Sequence, residues 1–337
     1  MTRGLRALGL CLLVAVAAAV VTLSVVRREI ERAFDTPLAL TSPVLFHVAR
    51  GQGVAQVGRA LEAEGWIADH RLFSWHTRMA GLAGKLQAGT YEVAPGDSLA
   101  DLLQRMITGK TKVFAVRFIE GIRFGDVRAA LAAARGMTHA ARGMSDGAIL
   151  DALGLDAPSP EGLFFPATYH YDYGTRDLDI LARAARRMHR ELDRAWAERA
   201  PDLPYQTPYD ALVMASIIEK ETGVASERAT IAGVFVRRLE QGMKLQTDPT
   251  VIYGLGNAFD GNLTRADLQR DTPYNTYTRR GLPPTPIALP GRAAIVAALN
   301  PAPGTALYFV ANGEGGHHFS DSLREHNAAV RRYQLSH

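Results

Sequence analysis

With 337 residues, 47% of them apolar and 21% charged, the chain is long enough for two domains with their own cores, and its composition excludes wholesale disorder. The net charge of +4 is scattered as Arg-Arg pairs, at 186–187, 237–238, 279–280 and 331–332. Such pairs decorate solvated helix faces and argue against a nucleic-acid partner. A single cysteine, Cys11, excludes an intramolecular disulfide and leaves the folded domains no thiol nucleophile or Cys-based metal site.

From Ala7 to Val26 the chain carries no charge, about the length that crosses a bilayer as a helix. Arg3 and Arg6 precede this run, while Arg27, Arg28 and Arg32 follow it, mixed with Glu29 and Glu31, so charge does not set its orientation. Ala17-Ala18-Ala19 offers a signal-peptide cleavage site, but the apolar run continues past it and favours an uncleaved anchor. Residues 1–6 are then a cytoplasmic tail, 7–26 a transmembrane helix and 27–42 a linker.

A strand, glycine turn and short helix now recur. Val44–Val48 reads as a strand, Gly51-Gln52-Gly53 as a turn, and Val54, Val57 and Leu61 as one helix face. Gly89–Val93, Pro95-Gly96-Asp97-Ser98 and Leu99, Leu102, Leu103 and Met106 repeat the theme, with Asp97 or Ser98 as N-cap. A third copy runs over Val113–Ile119, Glu120-Gly121, then Phe124, Val127 and Leu131. This pattern predicts a small α+β module. After an Ala/Arg/Gly-rich stretch, Ala129–Gly147, the run Tyr169-His170-Tyr171-Asp172-Tyr173 suits a core or a groove wall. Helices are expected over Leu178–Ala200 and Ser226–Glu240, the second stopped by Gly242. Val251-Ile252-Tyr253 reads as strand-like, and the proline-rich loops 271–278 and 281–286 suit hydrogen bonding to a polyhydroxylated ligand.

Between the two long helices lies the stretch with the most chemical content. Thr207-Pro208-Tyr209-Asp210 supplies an N-cap, a proline in the first turn and an early acid. Leu212, Ala215, Ser216 and Glu219 then share one helix face, before Lys220-Glu221-Thr222-Gly223 ends the helix. A carboxylate buried beside Ile217 and Ile218 has its pKa raised, which is what a general acid needs near neutral pH; a solvent-facing ion pair is the competing reading. Glu161, Glu221, Glu227 and Asp248 are the other acids with a plausible setting. No phosphate-binding loop, dinucleotide fingerprint or Gly-x-Ser-x-Gly occurs, and His317-His318 with His326 is a poor metal set. No metal or cofactor is expected.

Taken together, several ordered motifs resemble the endolytic murein transglycosylases of the YceG-like family. They are Glu161-Gly162-Leu163-Phe164-Phe165-Pro166; Met214-Ala215-Ser216-Ile217-Ile218-Glu219-Lys220-Glu221-Thr222 with Val224-Ala225-Ser226-Glu227-Arg228; and Leu245-Gln246-Thr247-Asp248-Pro249-Thr250-Val251-Ile252-Tyr253-Gly254. Further matches are Tyr274-Asn275-Thr276-Tyr277, Gly281-Leu282-Pro283-Pro284 with Pro286-Ile287, Leu299-Asn300-Pro301-Ala302 and Leu307-Tyr308-Phe309-Val310-Ala311.

The resemblance implies a single-pass inner-membrane protein with a periplasmic LysM-like module at 43–112 and a mixed α+β catalytic domain at 113–337. It implies cleavage of MurNAc–GlcNAc bonds in nascent glycan, leaving 1,6-anhydro-MurNAc ends and terminating strand elongation beside peptidoglycan synthases. The family's catalytic glutamate is mapped onto Glu219, acting first as acid and then as base towards the sugar's own C6 hydroxyl. Ser216, Glu221, Gln246, Asp248, Asn275 and Tyr277 are the candidate substrate-binding residues. Two alternatives stay open: a non-catalytic peptidoglycan-binding or divisome scaffold, and a muramidase using Glu219 with Asp248.

Overall fold

The computed structural model describes residues 2–334, with side chains from residue 13 onward. The chain is a mixed α+β protein that divides into two compact units, residues 1–114 and 115–337.

In the first unit, helix α1 (Thr2–Asp35) is continuous through the expected span. Side chains of residues 7–12 of that span lie outside the described residues, and among the described residues no helix is long and apolar enough to cross a membrane. The C-terminal end of α1 buries Ile30 and Phe34 in the core of this unit. Strand β1 (Val44–Val48) pairs antiparallel with β2 (Gly89–Val93), Val44 opposite Val93 and Val48 opposite Gly89. Between them lie α2 (Val54–Ala63) and α3 (His70–Met79), and α4 (Leu99–Thr108) follows. Ser98 caps α4 by accepting from the Asp101 N–H, and the Asp101 carboxylate accepts the Ser98 N–H in return. Phe46, Val57, Leu61, Phe73, Tyr91, Leu102 and Met106 fill the centre. The sequence pattern had given no sign of α3, because the face it buries is Phe73, Ser74 and Thr77, two of them polar.

The second unit starts with β3 (Phe114–Arg117) and α5 (Phe124–Ala132). Next come α6 (Asp146–Leu153), β4 (Thr168–Tyr171), which pairs with β3, and α7 (Asp177–Ala197). Helix α8 (Pro208–Glu221) is central, its residues Ala211–Ile218 all buried. A 3-10 turn (Ala225–Glu227) leads into α9 (Arg228–Glu240). Then follow α10 (Asp248–Leu255), α11 (Arg265–Gln269), α12 (Arg292–Leu299), the antiparallel pair β5 (Tyr308–Ala311) and β6 (His317–Ser320), and α13 (Leu323–Tyr333). Val251-Ile252-Tyr253, expected as a strand, is the middle of α10. Thr247-Asp248-Pro249 opens that helix with a proline in its first turn, and this overrides the β-branched run.

Helices α8, α9 and α12 enclose the main core of Leu212, Ile217, Ile231, Phe235, Ile295 and Leu299. The loop over Glu161-Gly162 is tied to this body by close approach. Gly162 has φ of +78° and sits against Pro286, so a side chain there would collide with the proline ring.

Candidate active site

Helix α8 is set by its ends. Thr207 Oγ1 accepts from the Asp210 N–H (3.2 Å), and the Asp210 carboxylate accepts from the N–H groups of Thr207 and Gln206 (2.9 Å each). The eight buried residues that follow fix the rotation of the helix, so its last turn presents two glutamates in fixed directions. Positions two apart on a helix stand about 200° apart, so Glu219 and Glu221 face opposite sides.

Glu219 is held from several directions. Its side chain is 7% exposed; Oε2 accepts the Gly291 N–H at 2.9 Å, and Oε1 lies 4.0 Å from Arg228 Nη2. Gly291 is the N-cap of α12, so Glu219 satisfies a helix-start N–H and joins the end of α8 to the start of α12. The Glu120 carboxyl packs over Gly291 so closely that a Cβ there would collide with it. Glu120 and Arg228 in turn line an open groove of about 620 Å³, together with Ala225, Arg292, Val296 and Asn300. Glu219 therefore sits beside this groove, between an acid and a base that both face it. Burial raises its pKa, opposed by the Gly291 N–H, reinforced by the Glu120 charge and opposed again by Arg228 and Lys220.

Ser216, one turn earlier on the same face, works behind Glu219. It is fully buried, donates to the Val213 carbonyl (2.7 Å) and accepts the Ile287 N–H (3.0 Å). Ser216 and Glu219 together hold the segment 287–291 by its backbone.

Glu221 faces a second cleft, of about 510 Å³, whose walls include Arg238, Gln246, Asp248, Tyr277, Tyr308, His317 and one side of α13. Thr247 Oγ1 donates to Glu221 Oε2 at 2.7 Å. Burial raises the Glu221 pKa; the Thr247 hydroxyl works against this, the Asp248 charge adds to it, and His317 and Arg238 work against it. The carboxyl also sits in the last turn of α8, where unpaired carbonyls carry partial negative charge and disfavour a carboxylate.

The rest of the second cleft is built by loops. Gln246 adopts φ of +52°, a left-handed conformation uncommon for a residue with a side chain, and its N–H donates to the Thr276 carbonyl at 3.2 Å. Thr247 N–H donates to Thr276 Oγ1 at 3.1 Å. Asp248, first residue of α10, accepts the Tyr277 hydroxyl at 2.5 Å; burial first, and then this bond, push the phenol pKa up. Asn275 is buried and takes no part in the cleft wall. Its Nδ2 donates to the carbonyls of Asp267 (3.2 Å), Leu268 (3.1 Å) and Arg270 (2.7 Å), and its Oδ1 accepts the N–H groups of Tyr277 (2.8 Å) and Thr278 (3.3 Å). It orients Tyr277 from behind.

The structure thus divides the expected site residues. Glu221, Gln246, Asp248 and Tyr277 gather around the second cleft, Glu219 stands beside the first groove, and Ser216 and Asn275 are buried supports. Sequence reasoning missed Glu120 and Arg292 as walls of the groove. It also missed Arg238 and the Glu227–His317 pair near the second cleft. Arg238 is buried, donating to the carbonyls of Leu245 and Leu307 (2.7 Å each), with its guanidinium 5.0 Å from the Tyr308 ring centre. Glu227 accepts the His317 N–H (2.8 Å) and lies 2.7 Å from its ring Nδ1. The usable signal was strand alternation: in β6, His317 and His318 point to opposite faces, so a doublet that is poor as a metal set still sends one imidazole inward. Among the described residues, the set of His and acid side chains close enough to share a cation is Glu62, Asp69 and His70, in the first unit.

Comparisons with known proteins identify the family. The sequence pattern of the YceG-like family matches residues 46–332. An endolytic murein transglycosylase of Bacillus subtilis is 31% identical over 308 residues, covering 86% of this chain and 84% of that protein. One of Streptococcus pneumoniae is 27% identical over 318 residues, and the match spans 84% of this chain but 57% of the pneumococcal protein. The crystal structure of a YceG-like protein from Listeria monocytogenes superposes with a TM-score of 0.51 at 27% identity, over 85% of this chain and 98% of that one. By the extent of the family match and the identity of its relatives, the chain belongs to the YceG-like family.

Proposed function

We propose that the chain is a lytic transglycosylase of peptidoglycan, cutting the MurNAc–GlcNAc bond within glycan strands, with Glu219 as general acid and then base. The names of the relatives support the activity class and make peptidoglycan the substrate. The observation that carries the assignment to Glu219 is its set of neighbours. Burial and Glu120 favour the protonated form, while the Gly291 N–H and Arg228 favour the carboxylate. A group that must give up a proton and take it back needs both influences, and here they meet beside a groove wide enough for sugar units.

Protonated Glu219 donates to the glycosidic oxygen as positive charge develops at the MurNAc anomeric carbon. The C1–O bond breaks, the GlcNAc hydroxyl leaves, and the C6 hydroxyl of the same MurNAc closes on C1. Its proton goes to the Glu219 carboxylate, which restores the acid, and no water is consumed. Such acid–base participation is worth about a hundred- to ten-thousand-fold in rate. In the interval between the two transfers, Arg228 and the Gly291 N–H stabilise the carboxylate. The second cleft, polar and of similar size, suits further sugar units of the same polymer through Gln246, Asp248 and Tyr277.

We further propose that residues 7–26 anchor the chain in the inner membrane with both units on the periplasmic side. In this reading the first unit, with its β-α-α-β order, is a LysM-like module, the second is the catalytic domain, and cleavage ends strand elongation. The uncharged run and the cell-wall relatives support this.

A muramidase reading has one observation behind it, though with a different pair of acids from the one expected. Asp248 stands with Glu221 in the second cleft and adds to its raised pKa, so this pair could act as acid and water-activating base. Digestion of purified glycan, read by mass, separates the two. Anhydro-MurNAc ends that vanish with Glu219→Gln support the transglycosylase, and reducing ends alone would overturn it.

A further inference from the structure

Helix α3 of the first unit carries an apolar stripe that the described residues leave partly uncovered. Leu72, Trp75 and Met79 are 44%, 38% and 71% exposed. At about 100° per residue the three fall within a sector of roughly 60°, so they form one face and are not scattered. The helix already buries a different face, Phe73, Ser74 and Thr77, against its own unit. Arg71 and Arg78 are exposed and stand together on the far flank of the stripe, beside Trp75. An apolar stripe with a tryptophan at its edge, flanked by arginines, is the composition of a helix that lies in a membrane interface.

The packing of α3 places this helix beside the end of α1. Phe34, near the end of α1, stacks on Phe73 of α3 (ring centres 5.9 Å apart) and lies 4.1 Å from the His76 ring. On the reading that residues 7–26 span the bilayer, Phe34 is eight positions beyond the last apolar residue of the run, which at 1.5 Å per residue is about 12 Å. A helix with its side chains has a radius of about 5–6 Å, so the near surface of α3 comes within about 6–7 Å of the hydrocarbon edge. The headgroup layer on each side of a bilayer is roughly 5–8 Å thick. With the proposed anchor running along the bilayer normal, the contact with Phe34 brings α3 to about headgroup depth.

We infer that the Leu72–Trp75–Met79 face of α3 is a lipid-binding surface that docks the first unit onto an anionic bilayer, with Arg71 and Arg78 meeting lipid phosphates. The inference rests on the proposed anchor and extends it: the chain touches the membrane twice, by a spanning helix and by a short interfacial one. A folded unit pinned at two points loses freedom to swing about the end of α1, and this sets how far from the membrane glycan is presented to it.

The test uses the full chain reconstituted into phosphatidylethanolamine–phosphatidylglycerol vesicles containing lipids brominated near the headgroup end of the acyl chains. Trp75, one of three tryptophans with Trp66 and Trp196, should be quenched by the bromines, and the quenchable part of the emission should disappear in Trp75→Phe. Replacing phosphatidylglycerol with phosphatidylcholine, or Arg71 and Arg78 with Gln, should reduce the quenching without changing far-ultraviolet circular dichroism. Carbonate extraction of the same vesicles reports the anchor separately. If the chain resists extraction while Trp75 is unquenched, the anchor stands and the lipid-binding face is refuted. Extraction of the chain into the supernatant overturns the anchor, and the inference falls with it. If Trp75 is shielded to the same degree in lipid-free detergent as the concentration rises, the stripe is a contact between copies and the inference is likewise refuted.

Discussion

Two glutamates two residues apart, facing opposite sides of one helix end, should respond differently to the same isosteric change. Glu219→Gln removes the transferable proton but leaves an amide oxygen to accept the Gly291 N–H. Loss of a general acid costs about 10²–10⁴ in rate, or roughly 3–5 kcal/mol of transition-state stabilisation. The fold should tolerate the change, because burial disfavours the charged form of Glu219 and what is lost is the attraction of Arg228, 4.0 Å away, and of Lys220. Glu221→Gln keeps an acceptor for Thr247 and removes a carboxyl whose charged form burial also disfavours. Its activity per folded molecule should stay within a few-fold of the parent. The assay is release of anhydro-muropeptides from purified glycan, alongside thermal melts of both variants. The parent should also lose activity as pH rises through the elevated Glu219 pKa, since the proposed mechanism starts from the acid form. An active Glu219→Gln beside an inactive but fully folded Glu221→Gln would refute the reasoning outright and move the chemistry to the second cleft.

Glu161, 4% exposed, accepts the Phe124 N–H at 2.9 Å and the Tyr253 hydroxyl at 3.2 Å, and burial lifts its pKa to about 7. Because the folded pKa is raised, the native state holds a proton that the unfolded chain has released between about pH 4.5 and 7, so stability falls as pH rises across that window, by up to about 3 kcal/mol in total. Urea melts at pH 5 and pH 8 should show that loss, and Glu161→Gln should remove about one proton's share of it; an unchanged slope would exclude Glu161 as its source. Asn275→Ala strands the carbonyls of Leu268 and Arg270 and the Tyr277 N–H, at about 1–3 kcal/mol for each that stays buried and unpaired, while the Asp267 carbonyl keeps the Arg270 N–H and the Thr278 N–H keeps the Asn275 carbonyl. Asn275→Asp should not rescue it, because it aims a negative charge at the three carbonyls; a parent-like melt for the aspartate would contradict that role for Asn275. Ser216→Ala leaves the Ile287 N–H without its acceptor and should cost about 1–3 kcal/mol in a denaturant melt with turnover per folded molecule unchanged. A fall in turnover without a fall in stability would return Ser216 to the groove.

Much of the fold was legible where local rules act alone. Strands Val44–Val48 and Gly89–Val93 were marked by their neighbouring glycine turns, and α8 by its N-cap Thr207, first-turn proline and early acid, which the structure joins into a capping box. The failures have physical causes. Helix α3 stayed hidden because periodicity registers apolar burial, and this helix buries a serine and a threonine while exposing a leucine, a tryptophan and a methionine. Val251-Ile252-Tyr253 has strand propensity, but the helix start at Thr247-Asp248-Pro249 had already set the backbone. Tertiary position decided the first case, and the local helix start the second.

The two glutamates show why a site is harder to read than a fold. Glu219 drew notice because it shares a face with Leu212, Ala215 and Ser216, and burial by its own helix is enough to predict a raised pKa. That much is local. Burial alone, however, would make a carboxyl that holds its proton and never returns to the charged form within a catalytic cycle. What balances it is the Gly291 N–H, brought in from 72 positions along the chain, and Arg228, which the 3-10 turn after α8 swings back against the helix end. The groove has the same origin: its walls come from Glu120 on one side and from α9 and α12 on the other. The expected partners Gln246, Asp248 and Tyr277 went to the opposite side because they follow Glu221, and 200° of helix rotation separates the two acids. The helix wheel fixes that the glutamates part company; only the closing of the chain on itself supplies Glu219 with neighbours that favour its carboxylate against the burial that favours its acid form.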